Sequence, residues 1–332
     1  MRAVVLVGGF GTRLRPLTLT RPKQMLPVGN RPMIERVLGH LAGHGITSAV
    51  LALGYRAAGF QDAYPTGDCA GVALRYAIEP EPLGTAGAVR FAALDAGIAE
   101  TFLVLNADVL TDLDVTALIA DHQRSGAEGT IALHRVEDPS AFGVVPTDAD
   151  GRVMSFIEKP PPGEAVTDLI NAGTYVLEPS VLDRIAPDLA VSIERSTFPA
   201  MVADGTLHAM DGDTYWIDAG TPATYLAANL DLVNGRRQPV EAGVHADAQV
   251  DGAVVASVVG AGAKIAEAAI VSGSVLLPGC VVGAGALVQD AIIGEGASIG
   301  AGAVVDQGTV VGDEVVVPAG AHLTAVRIPE ES

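Results

Sequence analysis

The sequence predicts an α/β chain, a three-layer domain around a mostly parallel sheet followed by a parallel β-helix. Two patterns predict it. Over residues 1–233, short apolar runs alternate with segments of helical spacing, the signature of strand–helix–strand units. From residue 244 onward glycine and alanine dominate, aromatic residues vanish, and apolar residues return every six positions.

In chain order, Ala3–Val7, Ala49–Leu53, Phe102–Leu105 and Gly129–His134 read as buried strands, because each is a short β-branched or leucine-rich run ended by glycine or polar residues. Met33–Gly43 and Ala86–Ala96 have helical spacing, the first with Met33, Val37, Leu38 and Leu41 on one face. Sheets of this kind bind ligands beyond the carboxyl ends of their strands, where strand order reverses. The later region runs through Val259, Ile265, Val271 and Leu277, then Val282 and Val288, then every sixth residue from Ile293 to Leu323. The period slips by one residue at Leu277–Val282 and at Val288–Ile293, at corners of the coil. Each coil needs neighbours to complete its core. Residues 234–243 are expected to link the domains 1–233 and 244–332. The uncharged stretch 268–289 is not read as a membrane span, since Gly273, Pro278, Gly279, Gly283 and Gly285 interrupt it and it keeps the six-residue period.

Composition narrows the function. Among 332 residues, 20 Lys+Arg stand against 39 Asp+Glu, a net charge of −19, which argues against a nucleic-acid coat. With 49% hydrophobic and 18% charged residues the chain can build large cores. Cys69 and Cys280 make no disulfide framework and lack metal-ligand spacing. The opening residues lack the features of a signal segment. The expectation is a soluble cytoplasmic protein with no membrane or nucleic-acid partner, associating with copies of itself through the β-helix.

The first motif, Gly8-Gly9-Phe10-Gly11-Thr12-Arg13-Leu14-Arg15-Pro16, follows the first strand. It is neither the dinucleotide fingerprint, because Leu14 replaces the third glycine, nor a P-loop, which ends GK[ST]. Three glycines after a strand still let backbone N–H groups approach a phosphate. Residues 1–36 concentrate Arg2, Arg13, Arg15, Arg21, Lys23, Arg31 and Arg36 against Glu35 alone. That basic island in an acidic chain suits a polyphosphate. Of only three lysines, Lys23 and Lys159 fall inside candidate motifs and read as phosphate ligands, whereas Lys264 reads as a surface residue of a coil. Asp108 ends one apolar run and Asp218 another. A strand-end aspartate is often only a helix cap, but two of them suit Mg²⁺, which takes few protein carboxylates and completes its shell with phosphates and water.

GGFGTRLRPLT…RPKQMLPV, EPLGTAG at 81–87, LNAD at 105–108, FGVV at 142–145, FIEKP at 156–160, NAGTYV at 171–176 and WIDAGTP at 216–222 together resemble the nucleotide-sugar pyrophosphorylases, the sugar-1-phosphate nucleotidyltransferases. Within that family the likeness is greatest to the mannose-1-phosphate guanylyltransferases. It implies a Rossmann-like nucleotidyltransferase domain, a left-handed β-helix, and attack of a sugar-1-phosphate oxygen on the α-phosphorus of a nucleoside triphosphate. The nucleophile is already an anion, so no general base is required, and the work is bringing two polyanions together. The resemblance implies that Arg13 and Lys23 hold the triphosphate, with Gly8, Gly9 and Gly11 shaping the loop and Leu6, Thr12 and Asp108 also touching nucleotide. It implies Mg²⁺ on Asp108 and Asp218. Lys159 would hold the sugar phosphate, Glu158, Asn171 and the Gly143 backbone the sugar hydroxyls, and Gly84 and Thr85 the base. Trp216 reads as packing beside Asp218.

Substrate choice stays divided at this point. Lys23-Gln24-Met25-Leu26 resembles the thymidylyl enzymes, while Leu83-Gly84-Thr85-Ala86-Gly87 fits guanylyl transfer to mannose or heptose phosphate. The segment nearer the base weighs more, favouring GTP. Two other classes compete: a silent regulatory subunit of the same fold, disfavoured because Arg13, Lys23 and both aspartates are present, and an enzyme whose β-helix carries acyl transfer. The latter commonly uses a histidine within the coils, and only His245 and His322 lie in this region, near its two ends.

Overall fold

A computed structural model describes residues 1–54 and 57–329. By its internal contacts the chain forms two units, Met1–Gly9 with Glu35–Trp216, and Phe10–Ile34 with Ile217–Ser332. Segment 10–34 thus belongs with the carboxyl-terminal part of the chain.

The first unit is built on a ten-stranded sheet. Its strands are β1 (Ala3–Leu6), β2 (Ser48–Leu53), β3 (Asp68–Cys69), β4 (Val72–Ile78), β5 (Phe102–Asn106), β6 (Gly129–Arg135), β7 (Gly143–Val144), β8 (Ile157–Glu158), β9 (Leu169–Leu177) and β10 (Leu207–Asp211). They run in the order β8-β7-β9-β5-β1-β2-β4-β3, and β6 pairs with β9 and β10. The centre is parallel: Ala3 of β1 faces Ala49 of β2 on one side and Leu103 of β5 on the other. Strand β9 is antiparallel to β5 and carries an irregularity between Asn171 and Tyr175. The central strands are apolar on both faces because both faces are covered. One cover is the helix Gly84–Asp95, whose Ala86, Val89, Ala92 and Ala93 join Val4, Val50 and Val104 in the core. It begins two residues before the expected Ala86, since Gly84 takes the left-handed φ of +70° at its first position. Helix Met33–Gly43 has its expected bounds and buries Met33, Val37, Leu38 and Leu41.

In the second unit, three parallel sheets of five short strands stack into a β-helix. Val259, Leu276, Ile293, Val311 and Ile328 lie in register along one side, 17 residues apart except for 18 between Ile293 and Val311. The inward residue of the second coil is therefore Leu276, not Leu277, and the slip falls between Val271 and Leu276. The cause is a tight corner. Ser257 Oγ accepts the Ser274 N–H at 3.0 Å, Ser274 Oγ accepts the Ala291 N–H at 3.1 Å, and Thr309 Oγ1 repeats the bond to Val326 at 3.3 Å. These buried hydroxyls satisfy corner amides that a longer turn would leave to water. Lys264 is exposed on its coil, as expected. No helix among the described residues is long and apolar enough to cross a membrane.

Stacked coils leave no room at certain corners. A Cβ on Gly283 would lie 2.6 Å from the Ala301 nitrogen and 2.9 Å from the Gly300 carbonyl carbon. Gly283→Ala is expected to destabilise the chain by about 1–3 kcal/mol, the usual cost of overpacking, read as a lower urea midpoint; an unchanged midpoint would show that the coils are not packed this closely.

Candidate active site

Within the first unit, the functional candidates gather at the carboxyl ends of β1 and β5, the point where strand order reverses. Leu6 ends β1, with Ala52 and Asn106 as its neighbours in register. Gly8 and Gly9 follow, exposed, with no atom within 4 Å of where either Cβ would stand, and Gly9 has φ +106°. The backbone here borders open space that any side chain would begin to fill. Ala107 donates its N–H to Leu6 O at 3.1 Å, which ties the next residue, half-buried Asp108, to the end of β1.

Strand β9 brings Asn171 to the same edge. Its Oδ1 accepts the Gly173 N–H at 3.0 Å and its Nδ2 donates to the hydroxyl of fully buried Tyr175 at 2.9 Å. Gly173 makes this turn possible: its φ is +75°, and a Cβ would lie 2.7 Å from Asn106 Nδ2. Gly143 faces Glu158 across β7 and β8, and a Cβ there would lie 2.7 Å from the Phe156 ring and 3.1 Å from Glu158 Oε2. Lys159 holds a left-handed φ of +52°, rare for a side-chain-bearing residue, and donates its N–H to Phe142 O at 2.9 Å. Its exposed ammonium is 3.8 Å from Glu158.

Burial, reinforced by the charge of Glu194, raises the Glu158 carboxyl above the usual range, with Lys159 and Arg195 opposing. Glu194 was not legible in the sequence, because the threonine and the glutamate it meets lie far back in the chain. Thr85 Oγ1 donates to it at 2.7 Å and accepts the Ile193 N–H at 2.8 Å. The same segment, a strap of residues 191–194, passes over Gly84, whose Cβ would stand 2.6 Å from Val191 O, and Val191 O takes the Ala86 N–H at 2.9 Å. Thr85 is thus fixed by the strap, and Gly84 stays exposed on its other side. Trp216 packs: its indole N–H donates to Ala172 O at 2.9 Å and its ring stacks on His134 at 5.3 Å.

The second unit assembles a second group. Gly11 has φ +63° and opens the turn Thr12–Leu14. A Cβ on Gly11 would lie 3.1 Å from Thr18 and 3.3 Å from Lys23 Cβ, and Thr18 donates to Gly11 O at 2.8 Å, so Lys23 rises beside the glycine turn. Arg13 and Asp218 meet around Gly220, whose Cβ would lie 2.7 Å from Arg13 Nη2 and 2.6 Å from Asp218 Oδ1. Asp218 Oδ1 also accepts the Gly220 N–H at 2.7 Å. Among the described residues, no group of three or more His, Cys, Asp or Glu is arranged to hold a metal ion by itself. A hard cation such as Mg²⁺ takes few protein carboxylates and completes its shell with phosphate oxygens and water, and Asp108 in the first unit and Asp218 in the second are each carboxylates of the kind it accepts. Neither thiol is poised to attack, since burial pushes Cys69 up to about 11 and Cys280 up to about 12.

Residues 2–235 match the family model described as nucleotidyl transferase, and residues 239–330 match the GMPPB C-terminal domain. The chain is 40% identical over 296 residues to the mannose-1-phosphate guanylyltransferase of Mycobacterium tuberculosis, a match spanning 83% of this chain and 80% of that protein. It is 44% identical over 242 residues to the mannose-1-phosphate guanyltransferase of Schizosaccharomyces pombe, spanning 72% of this chain and 66% of that protein, just under two thirds of its length. Among solved structures, HddC from Yersinia pseudotuberculosis complexed with GMP-PN superposes with a TM-score of 0.60 at 30% identity, over 69% of this chain and 97% of HddC.

Removing a like charge lets a carboxylate ionise at lower pH. Glu194→Gln is therefore expected to lower the titration midpoint of Glu158, followed by carbon NMR of labelled glutamate. A midpoint that stays put would separate the two carboxylates.

Proposed function

Because the chain belongs to the nucleotidyl transferase family, we propose that it transfers a guanylyl group from GTP to mannose 1-phosphate. A phosphate oxygen of mannose 1-phosphate forms a bond to the α-phosphorus of GTP, the bond from that phosphorus to the bridging oxygen breaks, and pyrophosphate leaves. The observation that carries the reading is the open glycine backbone at the end of β1 with Asp108 tied beside it. Exposed N–H groups can meet phosphate there without a side chain intervening.

In this reading the chain supplies charge and position, with no proton transfer. Gly8, Gly9 and Gly11 shape the phosphate loop, flanked by Leu6 and Thr12, and Arg13 and Lys23 offset charge on the triphosphate. Mg²⁺, held by Asp108 and Asp218, would neutralise charge developing on phosphate oxygens. Lys159 receives the sugar phosphate. Asn171, pinned by Tyr175 and Gly173, bonds the sugar hydroxyls together with Glu158 and the Gly143 backbone. Gly84 and Thr85 border the base. Mannose and guanine are supported by the relatives' activities and by the segment Leu83–Gly87. The segment Lys23-Gln24-Met25-Leu26 supports a second reading, thymidylyl transfer to glucose 1-phosphate. Both substrates are soluble metabolites, so the enzyme would work in the cytoplasm, as an assembly of copies joined through the β-helix.

The test is a matrix of five nucleoside triphosphates against mannose, glucose, galactose, glucosamine and heptose 1-phosphates. Pyrophosphate release should require both substrates and Mg²⁺ and be fastest with GTP and mannose 1-phosphate. Lys23→Ala and Asp108→Asn should each lower turnover about a hundredfold or more, the scale of losing one electrostatic stabiliser of the transition state, while far-ultraviolet circular dichroism stays unchanged. Release with every triphosphate in the absence of sugar phosphate would point to a hydrolase instead.

A further inference from the structure

Within the second unit, the basic segment that begins at Gly11 is fastened to one corner of the β-helix. Glu295 and Asp313 occupy the same corner on successive coils, each following a strand of the same sheet. Arg21 Nη1 lies 2.6 Å from Glu295 Oε2 and Nη2 lies 2.9 Å from Asp313 Oδ2. Thr20 donates its hydroxyl to the same Asp313 oxygen at 2.5 Å, and the other oxygen accepts the Glu295 N–H at 2.9 Å. The Asp313 side chain is only 7% exposed, so this is a shielded, geometrically defined anchor, unlike a mobile surface pair. A second tie comes from the last coil, where Arg327 Nη1 donates to Arg13 O at 3.1 Å and to Arg15 O at 3.4 Å. Between the two ties, Pro16 sits against Gly312, whose Cβ would come within 3.1 Å of its ring.

These contacts divide the cations of the island. Arg21 has both terminal nitrogens on carboxylates, so its charge is already neutralised and it is not available to a phosphate. Arg13 and Lys23 flank it in sequence; the first has its own carbonyl held, and the second stands two residues from the anchored guanidinium.

We propose that Glu295 and Asp313, acting through Arg21, and Arg327, acting through the carbonyls of Arg13 and Arg15, are positioning residues for nucleotidyl transfer: the β-helix sets where Arg13 and Lys23 present their charge to the triphosphate. The proposal rests on the reading of segment 8–24 as a triphosphate loop. It makes the second domain part of the catalytic apparatus rather than an appended scaffold.

The test uses the full-length enzyme with Asp313→Asn, Arg21→Lys and Arg327→Met, and it has two independent arms. In hydrogen exchange, the amides of Leu14, Arg15, Leu17 and Leu19 should exchange about tenfold or more faster in each variant, while those of Ile270 and Val281 in the earlier coils keep wild-type protection. In pyrophosphate-release kinetics, kcat/KM for the nucleotide should fall about tenfold or more, with KM for the sugar phosphate within about twofold of wild type. Arg21→Lys, which keeps the charge but loses the fork, should lie between wild type and Asp313→Asn. Unchanged exchange in all three variants, or faster exchange with wild-type kinetics, overturns the proposal; so does loss of protection through all coils, which would make the contacts ordinary supports of the fold. A wild-type chain that releases no pyrophosphate with any substrate pair counts against the nucleotidyl-transfer reading alone, and the exchange arm then still decides whether the anchor exists.

Discussion

Strand β1 has parallel partners on both sides, and the connections that follow it and β5 must leave in different directions. The sheet therefore opens a crevice between them at one edge. Residues beyond β1 skirt that crevice with minimal bulk, which suits Gly8 and Gly9, and Asp108 follows two residues after β5, next to the Ala107 N–H that is tied to the end of β1. The antiparallel β9 extends past the parallel strands at the same edge, and its bulge at Gly173 aims Asn171. The placement of these groups follows from strand order before any side chain is considered.

Charge is organised on a different principle. An excess of acids would weaken binding of any polyanion, and the chain answers by concentrating cations in its first 36 residues, where seven stand against one acid. Within that segment they do not act alike. Arg21 meets two carboxylates; burial alone would lower its pKa, but the hydrogen bonds and charges of Glu295 and Asp313 outweigh that and raise it, so it serves as an attachment point. Acids elsewhere in the chain thus immobilise a basic segment without cancelling all of it.

Much of this was legible from residues alone. The six-residue period in the carboxyl-terminal region, the glycine turn after β1 and the aspartate after β5 are local patterns, and local patterns survive in sequence. What was not legible is long-range. Leu277 continues the six-residue period from Val271, and only the stacked hydroxyls of Ser257 and Ser274 show that Leu276 takes the inward place. Glu194 becomes a neighbour of Glu158 only once the strap crosses the start of the helix Gly84–Asp95. Glu295 and Asp313 sit in Gly-Glu-Gly and Gly-Asp-Glu corners with nothing nearby in sequence to mark them, yet they pair with a residue far back in the chain.

The stacking of Glu295 above Asp313 also constrains how such a chain can change over descent. Parallel neighbours in a sheet stand about 4.8 Å apart, so inserting one whole coil between residues 260 and 294 would leave every inward residue well packed and still carry both carboxylates out of a guanidinium's reach. Solenoids ordinarily gain and lose repeats freely. In this one, the number of coils ahead of Glu295 is a fixed measurement, with Arg21 as its ruler and the Arg327 tie as a second mark on the same scale.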